Sequence, residues 1–235
     1  MEAWYTVVRF FENGGTFMYP IVLVMSLGVA IAVERFVTLS LVAKKNKAGW
    51  DKLEPVIKGG QFAEARELAG KDDSPVGQLL SAGLARQGAV RRREEVERAM
   101  EESLMAILPR LEKRTHYLAT FANMSTLAGL LGTIIGLIDA FTAVSNADLA
   151  DKAELLSASI SIGMNCTAFG LMVAIPLVLV HSLLQTKTTE IVDGLEMVSV
   201  KFLNVVGERA TYVRPPRTQD QPAPTLSMQP APSQA

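Results

Sequence analysis

The sequence predicts an all-α, polytopic membrane protein whose three transmembrane helices extend into a cytoplasmic helical region. Three observations carry that prediction. Three apolar stretches are each long enough to cross a bilayer, the basic residues crowd into one of the two connections between them, and the charged segments keep helical spacing.

Composition agrees with a mixed protein. Of 235 residues 49% are hydrophobic and 20% charged, and the mean hydropathy is +0.24. That is apolar for a soluble domain and too charged for a bare membrane bundle. The formal net charge is -1, so no global field argues for nucleic acid or an acidic substrate. Cys166 is the only cysteine, which excludes an intrachain disulfide or a multi-cysteine metal site and leaves a small packed hydrophobe.

Residues 1–16 read as a periplasmic N-terminal segment. They are not Lys/Arg-rich, and the following apolar run lacks a small-residue cleavage site, so a retained anchor is expected and not a signal peptide. Span one runs from about Phe17 to Phe36, and with its cytoplasmic extension occupies residues 17–43; Glu34 and Arg35 lie near its inner end, at the cytoplasmic interface. Lipid offers backbone N–H and C=O groups no partners, so roughly 20 apolar residues in a helix are needed to cross.

A cytoplasmic helical region is expected over residues 44–116. Its breaks are marked by Gly59–Gly60, Gly70 and Ser74–Pro75, and from about Val90 to His116 it becomes one charged helix with Val96, Met100, Leu104, Ile107 or Leu108, and Leu111 near helical spacing. That helix is expected to run straight into span two, with Pro109 as the candidate kink. The Arg91–Arg93 run reads as a solvated helix start, a headgroup contact or an intersubunit contact.

Span two covers residues 117–144, a periplasmic loop residues 145–156, and span three residues 157–184. Lys44, Lys45, Lys47, Lys52, Arg91, Arg92, Arg93, Arg110, Lys113 and Arg114 all lie between spans one and two, while Lys152 stands alone between spans two and three. Lys and Arg near span ends stay in the cytoplasm, which puts the long first connection and the C-terminus inside and the N-terminus outside. A cytoplasmic C-terminal helix follows over residues 185–212, with Ile191, Leu195, Val198, Phe202 and Val205 on one side to pack on the earlier cytoplasmic helices. The Pro-, Gln-, Ala- and Ser-rich stretch 213–235 has few groups for a core and reads as disordered.

No nucleophile, base or metal constellation stands out, so no enzyme activity, metal or cofactor is expected, and no nucleic-acid partner. His116 and His181 lie near inner span ends without a carboxylate at ligand spacing. The informative signal is a pair of small-residue stripes at i, i+3 and i+4 steps: Ser125, Gly129, Gly132, Thr133, Gly136 and Ala140 in span two, and Ser159, Gly163, Thr167, Gly170 and Ala174 in span three. Such stripes let helices approach closely, and a threonine on them can bond to a carbonyl, a water or a partner side chain; plain helix packing is the alternative. Counted from the outer span ends, Thr133 and Thr167 each lie about ten residues down, roughly 15 Å at 1.5 Å per residue, near mid-membrane. Asp139 is the carboxylate of span two, and a membrane-embedded acid is a functional candidate, here for hydrating the outer mouth of a path; so near the outer end, plain hydration or an outer-loop salt bridge is the alternative.

At these residues the sequence resembles the proton-channel family of ExbB, TolQ and MotA. The matching pieces are AIAVERFVTL (Ala30 to Leu39), GLLGTIIGLIDAF (Gly129 to Phe141) and TAFGLMVAIP (Thr167 to Pro176). Three spans look like ExbB and TolQ, since MotA-type subunits have four. The resemblance implies a bacterial inner-membrane homopentamer around a dimer of single-span ExbD/TolR-like subunits that carry a membrane aspartate. It places Thr133 and Thr167 on the proton path facing that aspartate. Thr126 stands where relatives often have proline, and Ile162 where ExbB has a membrane glutamate. The implied function is a stator subunit driving TonB-type uptake, Tol-type envelope maintenance or gliding motility; a non-conducting membrane scaffold is the rival.

Overall fold

The computed structural model describes residues 14–87, 93–146, 148 and 150–212. Expectations for residues 1–13, for Arg91 and Arg92 and for the 213–235 tail lie outside the described residues. The described residues form six α-helices: α1 (Met18–Gly59), α2 (Phe62–Gly70), α3 (Pro75–Gln87), α4 (Arg93–Glu112), α5 (Thr115–Asn146) and α6 (Lys152–Tyr212). Three helical stretches, within Met18–Gly59, Arg93–Ser145 and Lys152–Gly207, are long and apolar enough to cross a membrane. The chain is a multi-pass membrane protein.

Two of these helices extend far beyond the bilayer. At about 1.5 Å per residue the 42 residues of α1 reach roughly 63 Å and the 61 of α6 roughly 92 Å, against a hydrocarbon core of about 30 Å. Helix α1 does not stop near residue 43. It continues with Pro55 inside it because a second buried stripe, Gly49, Leu53 and Ile57, takes over where the lipid-facing apolar pattern ends. It ends where Gly60 turns left-handed at φ 78° and the Gly60 and Gln61 amides return to Ile57 and Val56 at 3.0 and 3.2 Å.

Short helices fill the space between the long ones. Ser74 caps α3 by accepting from the Gly77 amide at 3.1 Å, Pro75 supplies a first residue that needs no amide partner, and Asn46 of α1 accepts from the Val76 amide at 3.3 Å. Leu79, Leu80 and Leu84 of α3 then join Leu53, Met100, Leu195 and Phe202 in one buried core. Lys58 and Lys71 hydrogen-bond Glu54 and Glu67 and hold both carboxyls below their usual range, but on an exposed surface such pairs stabilise little.

The charged helix does not run straight into span two. It breaks between Glu112 and Thr115, where Arg114 takes φ 66°, while Pro109 stays inside α4. In an unbroken helix the Leu111 carbonyl would accept from the Thr115 amide. Here Arg35 of α1, buried at 3% exposure, donates to it from Nη2. Glu34 sits 3.5 Å from Arg114 on the solvent side. Glu34 and Arg35 thus clasp the junction between the charged helix α4 and span two.

Candidate functional site

Spans two and three pack as an antiparallel pair whose backbones meet along the two small-residue stripes. A methyl built on Gly136 would lie 3.1 Å from the Gly163 Cα, and one on Gly163 would lie 3.0 Å from the Thr133 Cα. One on Gly129 would lie 3.1 Å from the Thr167 Cα and 3.3 Å from that of Gly170, while Gly132 faces the Cys166 side chain. At Gly170 a methyl would come to 2.5 Å from the Ser125 carbonyl oxygen. Only glycine allows this approach, because the obstacle is backbone, which cannot rotate aside. Ala174 is buried one turn further along α6.

The close approach brings two hydroxyls together. Thr133 Oγ1 and Thr167 Oγ1 are 2.6 Å apart, and Thr167 Oγ1 donates to the Gly129 carbonyl at 2.7 Å. Each hydroxyl has one proton. When that of Thr167 goes to Gly129, Thr133 donates to Thr167, and the pair is a short hydrogen-bonded chain that ends on a backbone oxygen. Thr133 also lies 3.0 Å from the Leu130 carbonyl, so its proton has an alternative acceptor within its own helix. Both threonines are partly exposed on the protomer surface, which leaves Thr133 oxygen lone pairs open to a further donor.

Other expected site residues fall elsewhere. Asp139 is exposed and not part of the seam. Six residues beyond Thr133, it lies roughly 240° further around a helix of 3.6 residues per turn, on a different face. Ile162 is exposed and would contact a methyl on Gly15 at 3.0 Å. The sequence allowed a carbonyl as the partner of a stripe threonine but did not single out that of Gly129, since a backbone atom leaves no composition signal. Nor did it anticipate that Ser125, fully buried beside Gly170, has a hydroxyl without a hydrogen-bond partner among the described residues.

A model of the MotA/TolQ/ExbB proton channel family matches residues 71–197, which contain the whole seam, both threonines and Asp139. Among curated proteins the chain is similar to an ExbB homolog of Methanothermobacter thermautotrophicus, 29% identical over 82% of this chain and 68% of that one. An ExbB-like 1 biopolymer transport protein of Synechocystis is 29% identical over 93% of this chain and 84% of its own. The Tol-Pal system protein TolQ of Haemophilus influenzae is 35% identical over 40% of this chain and 41% of its own.

Proposed function

The chain belongs to the MotA/TolQ/ExbB proton channel family, and from that premise we propose that it is the multi-span stator subunit of an inner-membrane motor driven by the proton motive force. Copies of the chain, five by family resemblance, surround a dimer of ExbD/TolR-like single-span subunits. The partner's membrane aspartate takes up the proton on one side and releases it on the other, and the Thr133 and Thr167 hydroxyls hydrogen-bond that aspartate or order water beside it. Each charge crossing a potential of 100 mV makes about 2.3 kcal/mol available, and cycles of protonation move the partner relative to the ring. The N-terminus and the loop around Asp148 face the periplasm, and the long helical extensions face the cytoplasm. The driven machine is one of TonB-type uptake, Tol-type envelope maintenance or gliding motility.

One observation carries the reading: two hydroxyls hydrogen-bonded to each other within the spans, on a seam held together by backbone contact. A hydroxyl pair orients an acid or a water by hydrogen bonds without titrating itself, which suits a site whose acid comes from a partner. A scaffold would use the same glycines but has no need of the pair. Purification with a single-span protein bearing a membrane Asp, followed by potential-driven proton uptake into liposomes, tests the proposal. A stable complex with no such partner and no flux would favour the scaffold. A periplasm-dependent reporter fused after Asp148 should be active and one fused after Arg92 silent; the reverse pattern would sink the orientation.

A further inference from the structure

Beside the cytoplasmic end of span three, α1 and α6 leave a groove of about 390 Å³ between them. Its walls include Trp50 and Ile191, and its rim carries Lys47, Lys187 and Lys201 against one acid, Glu190. None of the three lysines is within salt-bridge distance of a carboxylate among the described residues; the nearby Glu54, which feels Lys201, is bonded to Lys58. Lys187 instead lies 3.2 Å from Ser40 Oγ and 3.8 Å over the Phe36 ring, and Lys201 lies 5.6 Å over Trp50. At Gly194 the wall has a gap: a methyl there would meet nothing within 4 Å.

Helix α4 presents the complementary surface. Its buried stripe of Val96, Met100, Ile107 and Leu111 faces its own protomer, so the opposite ridge, Glu94, Glu101, Met105 and Glu112, faces out. Met105 is 72% exposed, an apolar side chain among carboxylates, ten residues ahead of the start of α5. Arg98, the base on this ridge, stands one turn from Glu94, Glu101 and Glu102 and is locally offset.

The two surfaces lie at the same height. Helix α4 runs antiparallel to the end of α6, with Gly207 beside Arg93 and Ser199 at 3.7 Å from the Met100 sulfur. Continuing that register puts Met105 level with Gly194, Glu112 level with Lys187, and Glu101 within a turn of Lys201. Copies related by a rotation axis along the membrane normal meet only at equal heights, and a head-to-tail ring needs two different surfaces that match there. A lysine-rimmed groove with a gap in its wall and an acidic ridge with an exposed methionine, at one height on the same chain, meet both conditions. Basic rim against acidic ridge also fixes which surfaces pair.

We infer that the α1–α6 groove receives the outward ridge of α4 from a neighbouring copy, Met105 entering at Gly194, and that this contact closes the cytoplasmic half of the ring. The inference rests on the ring of copies proposed above. The full-length double variant Met105→Cys with Gly194→Cys, oxidised in native membranes, should give a ladder of disulfide-linked species, whereas either single variant and the parent chain with its buried Cys166 should give none. Native mass spectrometry on the unoxidised parent separates the two readings. A multi-copy complex without a ladder overturns the interface and leaves the ring standing, while a single-copy complex overturns both. Lys187→Glu with Lys201→Glu should lose the multi-copy species, and adding Glu101→Lys with Glu112→Lys should restore it. If the lysine substitutions strip bound anionic phospholipid and leave the ring intact, the groove is a lipid site and the inference fails.

Discussion

Thr133 and Thr167 stand on different helices, and their hydroxyl oxygens are 2.6 Å apart. That separation exists because Gly129, Gly136, Gly163 and Gly170 let the two backbones touch on either side of the pair. Packing and chemistry are therefore coupled: whatever widens the seam also lengthens the hydroxyl contact.

Thr→Val substitutions separate the two. Valine keeps nearly the volume of threonine and removes the donor and acceptor. Thr167→Val deletes the bond to Gly129 that crosses between helices, which in a membrane costs about 0.6 kcal/mol, up to about 1.7. Thr133→Val deletes no bond to the opposite backbone and should cost less. Neither loss should prevent assembly. The double variant should assemble with normal abundance and partner stoichiometry and conduct no protons. Flux per assembled complex is the measurement, and full flux in the double variant would falsify the role given to the pair.

Gly170→Ala tests the seam itself. Its methyl would press on the Ser125 carbonyl oxygen at 2.5 Å, and since that atom is backbone the helices must part. Overpacking of this kind costs about 1–3 kcal/mol. The variant should melt at lower temperature in detergent and lose flux with both hydroxyls still present. Gly70→Ala, where a methyl meets nothing within 4 Å, should change neither. Unaltered melting and flux in Gly170→Ala would mean that the helices are not pressed together as described.

The spans and the seam were readable for a physical reason: lipid demands continuous apolar helix, and close helix approach demands small residues at repeating steps. The helix ends at Gly60 and Pro75 were readable from turn and cap chemistry. The break before span two was not, because arginine is an ordinary helix former and the visible candidate, Pro109, is accommodated on an exposed face of α4. What breaks the helix there is tertiary: Arg35 and Glu34, far away in sequence, hold Leu111 and Arg114. The length of α1 was hidden likewise, since its buried stripe changes partners from the apolar spans to the short helices without a change in spacing.

Asp139 is exposed and away from the seam, so its effect should be smaller than that of the threonines. If it hydrates the outer mouth, Asp139→Asn should lower flux partially and leave the copy number unchanged. Flux equal to that of the parent would assign it to the solvated surface.

Arg35 makes the strongest claim on the junction between α4 and α5. Its buried guanidinium serves the Leu111 carbonyl, which the break leaves without the amide it would have in a continuous helix. A hydrogen bond from a charged donor contributes about 1.5–3 kcal/mol, and a buried carbonyl left unpaired costs about 1–3 kcal/mol. Arg35→Met keeps the apolar stem and removes the donors, so it should lower the melting temperature of the purified complex. Arg35→Lys keeps the charge on a shorter stem without the planar fork and should fall between the two. Glu34→Gln should matter least, because the Glu34–Arg114 pair is 43% and 51% exposed and such pairs contribute about 0–1 kcal/mol. The junction can also be read locally, since Lys113 and Arg114 are exposed trypsin sites between two helices. In inverted vesicles Arg35→Met should be cut there several times faster than the parent. Equal cleavage rates and equal melting temperatures would show that the break is held by α4 and α5 themselves, and that the bond from Arg35 only accompanies it.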